Sequence, residues 1–261
     1  GNRDKENLPA IIEEYMAREH FGAEVVVNPI TRDDKLQAIM YSKLHQRTRA
    51  FVKIQDGCQS CCAYCIIPQA RGPVRSKLPE DVLAEIKQLV DLGYKEIVLT
   101  GIHTGFYGID ITDWNLNRLI RTILDQVPGS YRIRLSSIEP LEINDELLDM
   151  IVRDRRMCRH LHIPLQSGSD PILTSMGRRY DRNYYRELIE KTARQIPQIA
   201  LTADVMVGFP GETKQDFQDS YDLIEQLPIS DLHVFKYSRR SGTRAAEMIN
   251  QVAEHEKHTR S

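Results

Sequence analysis

Four of the five cysteines in the 261-residue sequence lie within residues 57–65. Three of them follow the spacing Cys58-x3-Cys62-x2-Cys65, so one short loop carries three thiolates. An iron–sulfur cluster requires soft, negatively charged and closely spaced ligands. Three cysteines on a four-iron cube leave one iron open for a small-molecule ligand. A structural zinc site would need a fourth ligand nearby or a second pair of cysteines, and the loop is followed by neither.

The other two cysteines do not extend this triad. Cys61 forms no second triad with Cys65 and is interpreted as a bystander that faces the loop interior, while Cys158 stands alone far downstream. A zinc knuckle or a group of free thiols remains the alternative interpretation of the loop. Cysteines concentrated in one loop do not form a disulfide framework. We expect a cytoplasmic protein, because an open cluster survives best in a reducing compartment.

Composition places the chain among ordinary globular proteins and excludes several classes. Hydrophobic residues make up 41%, charged residues 28%, and the net charge is −2. No apolar run reaches membrane-spanning length and the start has no signal-peptide pattern, so no membrane partner is expected. The charge is not that of a general nucleic-acid binder. Any RNA contact must therefore come from a local basic patch.

Apolar runs that alternate with helical segments predict an α/β protein. Residues 1–45 read as a helix, a short strand or extended segment, and a second helix, like the tail of another domain. From residue 49 the pattern is regular and favours a (β/α)6 partial barrel over an open doubly wound sheet, because no glycine-rich dinucleotide turn follows the first strand. The predicted strands are 50–54, 96–100, 131–136, 160–165, 200–207 and 232–237. The predicted helices are 79–92, 115–127, 144–152, 182–195 and 214–226.

Polar residues follow the predicted strands, where α/β barrels bind their ligands. A ligand that joins a nucleoside to an amino acid would find suitable partners on this rim. Backbone groups of Thr100 and Gly101 are candidates for its amino group, and Arg178 is a candidate for its carboxylate. The candidates for the ribose hydroxyls are Glu139, Gln166 and Ser167.

Arginines recur on the same rim and would suit a phosphate-bearing substrate, although a solvated charged rim is the plainer interpretation. His103 follows the second predicted strand, where we expect packing or hydrogen bonding rather than catalysis. The rim arginines are Arg71, Arg75, Arg178, Arg179, Arg182, Arg239, Arg240 and Arg244.

The cysteine spacing, with Tyr64 just before the last cysteine, resembles that of the radical S-adenosylmethionine enzymes. From about residue 46 onward the chain is similar to the methylthiotransferase branch of that superfamily. The segments AYCIIP (63–68) and DVMVGFPGET (204–213) are shared across the branch. The segments LTGIHTG (99–105) and RIRLSSIEP (132–140) resemble the threonylcarbamoyladenosine tRNA methylthiotransferases, whereas the isopentenyladenosine and ribosomal-protein branches differ there.

This resemblance implies a radical-SAM (β/α)6 partial barrel with a [4Fe–4S] cluster on Cys58, Cys62 and Cys65. It implies that S-adenosylmethionine binds the open iron beside Tyr64 and is cleaved reductively to methionine and a 5′-deoxyadenosyl radical. The substrate would be N6-threonylcarbamoyladenosine next to the anticodon of tRNA, which receives a 2-methylthio group. The implied partners are the tRNA anticodon stem-loop, an electron donor and a sulfur source.

The chain departs from the family pattern at both ends. Residues 1–45 resemble only the C-terminal remnant of the family's N-terminal domain, and the three further cysteines that hold a second [4Fe–4S] cluster there are absent. Residues 46–245 correspond to the partial barrel, and residues 246–261 to a connector towards a C-terminal RNA-binding domain. We therefore expect a fragment that cleaves S-adenosylmethionine but does not complete methylthiolation.

Two other functions remain open. One is a methylthiotransferase for another substrate, either isopentenyladenosine in tRNA or a ribosomal protein. The other is a non-enzymatic, metal-stabilised RNA-binding module. Iron content and release of 5′-deoxyadenosine separate an enzyme from a zinc protein, and tRNA nucleoside analysis separates the substrates.

Overall fold

The structure is a computed structural model that describes residues 3, 7–18, 22–23, 25–31, 34, 36 and 48–261. The strands are β1 (Arg49–Asp56), β2 (Arg75–Ser76), β3 (Glu96–Gly101), β4 (Arg132–Leu135), β5 (His160–His162), β6 (Ala200–Val207) and β7 (Asp231–Lys236). The α-helices are α1 (Leu8–Met16), α2 (Ile67–Arg71), α3 (Pro79–Asp91), α4 (Leu116–Gln126), α5 (Asp145–Arg153), α6 (Asp170–Met176), α7 (Arg182–Gln195), α8 (Lys214–Gln226) and α9 (Glu254–Arg260). Short 3-10 helices span Thr104–Phe106, Pro140–Glu142 and Arg244–Ala246.

The strands form one curled sheet in the described part of the chain. β1, β3 and β4 are parallel neighbours, β5, β6 and β7 are parallel neighbours, and β2 runs antiparallel to β1. Parallel bridges between Ile133 and Met157 and between Ser137 and His162 join the two halves. The outer strands of the described sheet are β2 and β7, so it curls without closing. This arrangement is the partial barrel that the alternating pattern predicts.

Alternate strand residues divide the sheet into two faces. Val52 and Ile54 of β1, like Leu201 and Ala203 of β6, are almost fully buried and share one core with α3, α4, α5 and α7. Residues between them, such as Lys53 in β1, point to the concave face. The helices thus cover the convex face, which leaves the concave face and the strand ends for ligands.

Several of these helices begin at residues whose side chains cap the helix N-terminus. The side chains of Asn115 and Asn144 accept the backbone N–H groups of Arg118 and Leu147, at 2.8 and 3.0 Å, and so cap α4 and α5. Thr213 and the third residue of α8 form a capping box. These caps explain why helix positions are readable from the sequence.

Outside the barrel, α1 confirms the first predicted helix. Residues 22–23 and 25–31 carry no strand, which leaves the extended alternative for that segment. The second helix predicted before residue 45 lies mostly outside the described residues. No helix among those the structure describes combines the length and apolarity needed to cross a bilayer.

Glu96, the first residue of β3, forms ion pairs that link the N-terminal ends of β1, β3 and β4. Its carboxylate pairs with Arg49 and Arg134, each through Nε at 2.7 Å, and with Arg132 at 3.4 Å. The hydrogen bond from Arg134 is the main cause that lowers the pKa of Glu96, and the nearby arginine charges add to it although burial opposes it.

We expect the Glu96→Gln variant to unfold at a lower urea concentration than the unmodified protein at pH 7. In acid, the difference between the two urea concentrations should become smaller. A carboxyl group whose folded pKa is lowered stabilises the fold above its unfolded value of 4.5, and this contribution is lost as pH falls through the folded pKa. Urea unfolding of both proteins at pH 7 and at several values below 4.5 measures it. A gap of constant size at every pH would contradict this account.

Candidate active site

The cysteine loop leaves β1 through a position that only glycine fits. Gly57 has φ +76°, and a Cβ there would lie 1.9 Å from the carbonyl oxygen of Pro73. The next residue, Cys58, donates its backbone N–H to Gly72 O at 3.2 Å. The two chain segments that flank α2 therefore run in direct contact, and this contact fixes where the loop starts.

We expect Gly57→Ala to lose iron-binding capacity and to cost at least about 1–3 kcal/mol of stability. The new Cβ would overlap backbone atoms of Pro73, which cannot move aside as a side chain would. Gly93→Ala is the matched control, since Gly93 also has a positive φ, +93°, but has no atom within 4 Å of its added Cβ. Iron per chain and urea unfolding measure both variants. Equal iron loss in both would contradict the argument.

Backbone hydrogen bonds also hold the middle of the loop. The N–H of Ala63 donates to Met176 O at the end of α6, and the N–H of Ala245 donates to Ala63 O, both at 2.8 Å. Helix α6 ends there because Gly177 adopts a left-handed conformation, φ +79°. The loop is thus fastened between α6 and the 3-10 helix at 244–246.

The three thiols of the spacing motif lie close enough to influence one another. Burial raises the pKa of Cys62 and of Cys65, and the charge of Cys58 raises both further. At Cys58, burial is outweighed by hydrogen bonds from His103 and Ser60, so its pKa is lowered. Cys61 is exposed, so the prediction that it faces the interior of the loop is wrong. Three neighbouring sulfur donors, half-buried or buried, are the donor set that a cluster requires.

Arg178 joins the loop to the opposite side of the barrel. Its Nη1 donates to Cys62 Sγ at 3.6 Å, and its Nη2 pairs with Glu139. The guanidinium also lies over Tyr180, 5.1 Å from the ring centre, and only 6% of the Arg178 side chain is exposed. The hydroxyl of Tyr180 is in turn fixed by Leu165 O at 2.9 Å. The arginine is therefore held in one orientation beside the thiols.

His103 lies on the other side of the same thiols. Its Nδ1 is 3.7 Å from Cys58 Sγ, its Nε2 pairs with Glu142, and its ring stacks on Phe106 at 3.6 Å between centres. Burial is overcome by the hydrogen bonds to Cys58 and Glu142, which raise the pKa of His103 to about 9. This matches the hydrogen-bonding and packing role expected for His103. Glu142 and Phe106 are neighbours of His103 that the sequence did not indicate, apart from the presence of a second acid three residues after Glu139.

These side chains enclose a cavity of about 210 Å³ beside the loop. It is lined by residues that include Cys61, Cys62, His103, Glu139, Arg178 and Tyr180. A larger cavity of about 510 Å³ lies between α8, α9 and the convex side of β6 and β7. That cavity has a mostly apolar lining and contains no cysteine, so the smaller one is the candidate site.

The other predicted contacts are spread along the rim. Thr100 and Gly101 end β3, where Gly101 packs against Gln55. Gln166 has φ +66°, and its buried Oε1 has no hydrogen-bond partner among the described residues, which makes it a candidate for a ligand contact. Ser167 is also buried, but its hydroxyl lies 3.3 Å from that of Ser220 in α8.

The Tyr64 side chain packs in a small apolar core next to the candidate site. Its ring meets Phe209 edge-on at 6.5 Å, within a small core that also contains Met176 and Tyr237. Burial raises the pKa of its hydroxyl. The structure thus brings Tyr64, Glu139 and Arg178 together around Cys62.

The rim arginines divide into two groups. Arg71 and Arg75 lie 3.7 and 3.6 Å from Asp56, Arg182 lies 3.9 Å from Asp219, and Arg178 is paired as described. Others are exposed and free to meet a substrate: Arg179, Arg239, Arg240 and Arg244.

Comparison with known protein families decides the class. The profile of the Radical SAM superfamily matches residues 52–224, which cover most of the chain. The chain belongs to the radical SAM superfamily. This confirms the predicted partial-barrel fold and a radical SAM enzyme, with a [4Fe–4S] cluster and S-adenosylmethionine as its cofactors.

Two relatives align with the whole chain. The threonylcarbamoyladenosine tRNA methylthiotransferase MtaB of Bacillus subtilis (strain 168) is 44% identical over 260 residues, covering 100% of this chain and 57% of the relative. The tRNA-2-methylthio-N(6)-dimethylallyladenosine synthase of Carboxydothermus hydrogenoformans is 36% identical over 260 residues, covering 58% of that relative. The chain therefore spans a little over half the length of these relatives.

Solved structures agree on the fold. The radical S-adenosylmethionine methyltransferase TsrM of Kitasatospora setae aligns with a TM-score of 0.63 over 75% of this chain and 38% of its own, at 18% identity. Coproporphyrinogen III oxidase of Escherichia coli aligns with a TM-score of 0.58 over 81% of this chain and 50% of its own, at 17% identity. At such identities the likeness concerns the fold alone.

Proposed function

We propose that this chain is the radical-generating part of a tRNA methylthiotransferase that adds a 2-methylthio group to N6-threonylcarbamoyladenosine beside the anticodon. The observation that carries the proposal is the 44% identity to MtaB over the whole chain, together with the three-thiol loop. The tRNA anticodon stem-loop is then the substrate, and the reaction requires an electron donor and a sulfur source. A tRNA substrate also favours the cytoplasm.

Within this proposal Cys58, Cys62 and Cys65 ligate the cluster. The bound cluster supplies the electron that cleaves S-adenosylmethionine. The role of the chain is to hold the three thiolates in one place, which the glycine at position 57 and the hydrogen bonds to α6 accomplish. His103 stabilises the Cys58 thiolate through its hydrogen bond and positive charge.

Arg178 and Glu139 are assigned to the nucleoside amino acid. A guanidinium binds a carboxylate through charge-assisted hydrogen bonds, and Arg178 already donates one of these, from Nη2, to Glu139. The buried Oε1 of Gln166 is assigned to a hydroxyl or amino donor of the ligand. Thr100, Gly101, Ser167 and Tyr64 remain proposed neighbours of the same ligand.

The exposed rim arginines are assigned to the phosphates of the anticodon loop. Single-stranded loops are where proteins read RNA bases, and phosphate contacts position the reader. Arg179 borders the cavity and would approach the loop first. The assigned set is Arg179, Arg239, Arg240 and Arg244.

A second candidate substrate is N6-dimethylallyladenosine in tRNA. It is favoured by synthases of that class that are 36–41% identical to this chain, a range close to that of the MtaB relatives. Both substrates place the reacting atom on the same ring of adenine. The two substrates differ in the group attached to N6 of adenine, which is a charged threonylcarbamoyl group in one and an apolar dimethylallyl group in the other.

Two measurements test the proposal. After anaerobic reconstitution, we expect about four irons per chain and release of 5′-deoxyadenosine when dithionite and S-adenosylmethionine are added. In a strain that lacks the gene of the full-length protein, mass spectrometry of tRNA nucleosides should show loss of the 2-methylthio group from threonylcarbamoyladenosine. A colourless protein that binds zinc would contradict the proposed enzymatic activity. Loss of the 2-methylthio group from dimethylallyladenosine instead would show that dimethylallyladenosine is the substrate.

A further inference from the structure

A second group of metal-binding side chains lies away from the cysteines, on the last three strands of the sheet. His162 of β5, Asp204 of β6 and His233 of β7 place one ligand atom each within 4.8 Å of one another. The proposed function does not use these residues.

All three side chains point into the concave side of the barrel. Their neighbours Leu161, Ala203 and Val205 are buried in the core on the convex side, so the intervening residues face the other way. The pairing of β6 with β7 sets Asp204 directly opposite His233. The sheet itself therefore brings the three residues together.

Two of the three distances between the ligand atoms match the edges of a coordination polyhedron, and the third is at most 4.8 Å. His162 Nε2 lies 3.0 Å from Asp204 Oδ1, and His233 Nδ1 lies 3.3 Å from the same oxygen. Metal–nitrogen and metal–oxygen bonds of about 2.0–2.2 Å give neighbouring ligand atoms about 2.8–3.6 Å apart in octahedral or tetrahedral sites. Asp204 and either histidine therefore already have the spacing of neighbouring ligands.

We propose that His162, Asp204 and His233 form a binding site for a divalent first-row transition ion such as Zn²⁺, Fe²⁺ or Co²⁺. Two imidazoles and one carboxylate on one side of an ion are the donor set that these metals prefer, and they leave coordination positions open. Those positions face the concave side of the barrel. The His233 side chain is 69% exposed, so an ion can enter from that side.

A neighbouring hydroxyl prepares His162 for this role. Its Nδ1 lies 2.8 Å from Thr202 Oγ1. Without metal, the ring can donate from Nε2 to Asp204 and accept from Thr202 at Nδ1. When an ion takes Nε2, the hydrogen moves to Nδ1 and Thr202 Oγ1 becomes its acceptor. Outer-shell partners of this kind fix the tautomer of metal-binding histidines.

The test uses the cluster-loaded protein, so that the three thiolates of the spacing motif are already occupied, and titrates it anaerobically with Co²⁺. We expect one additional Co²⁺ per chain, with visible bands of nitrogen and oxygen ligands and without a thiolate-to-cobalt charge-transfer band. His233→Ala should weaken Co²⁺ binding by at least about tenfold, and Thr202→Val by about 10- to 100-fold.

His258→Ala is the matched control, because His258 is exposed on α9, outside the group of three. Urea unfolding of each variant shows whether the fold is kept, and the exposure of His233 makes its variant the safest. No Co²⁺ beyond the cluster, a thiolate band, or equal affinity in His233→Ala and His258→Ala would overturn the site. None of these readouts depends on S-adenosylmethionine or tRNA, so the proposed function is tested separately.

Discussion

Cys62→Ala is expected to remove the iron–sulfur cluster and with it all release of 5′-deoxyadenosine. Cys62 is the middle thiol of the three, and its charge acts on Cys65 while Arg178 donates to its sulfur at 3.6 Å. Two remaining thiolates cannot hold a four-iron cube that needs three. Iron per chain after anaerobic reconstitution should fall from about four towards zero, and the brown colour should be lost.

Cys61→Ala is the control for this experiment, and it should keep both iron and colour. Cys61 is the neighbouring residue and has the same thiol, but it is exposed and its sulfur lies 4.0 Å from Gln59 O. A cluster that survives in Cys62→Ala but not in Cys61→Ala would reverse the ligand assignment. Loss in both variants would indicate that the loop needs every thiol for its fold.

The positions of the strands could be predicted because each main strand is a short apolar run in the sequence. All six predicted strands are present within a few residues, and so are the five predicted helices of the barrel. The strand β2 is missing from the prediction because two residues carry no pattern. Helix α6 is missing because its seven residues are too few to show helical periodicity.

Only part of the candidate site could be predicted from the sequence. The cysteines are close in sequence, so their spacing alone indicates the chemistry. Partners such as His103 and Glu142 are 39 residues apart and meet only because their loops follow adjacent strands. The group of His162, Asp204 and His233 depends in the same way on the register of three strands. Such pairings require the fold before they can be named.

Arg178→Ala is expected to leave the cluster in place but to weaken binding of S-adenosylmethionine by about 30-fold or more. The cysteines keep their own supports, so iron per chain should be unchanged. The variant removes the guanidinium proposed for the carboxylate and leaves Glu139 without its partner, and truncation of one member of a buried charge pair costs about 2–5 kcal/mol. The change in the electron paramagnetic resonance spectrum on titration with S-adenosylmethionine measures the affinity.

Arg179→Ala separates this effect from a general loss of positive charge. Arg179 is the next residue and borders the same cavity, but it is exposed, whereas only 6% of the Arg178 side chain is. Its loss should leave the affinity for S-adenosylmethionine within about twofold, because an exposed charge in water contributes little. Arg178→Lys should fall between the two, since lysine keeps the charge but not the planar pair of donors. Equal affinity in Arg178→Ala and Arg179→Ala would show that the carboxylate of the ligand is held elsewhere.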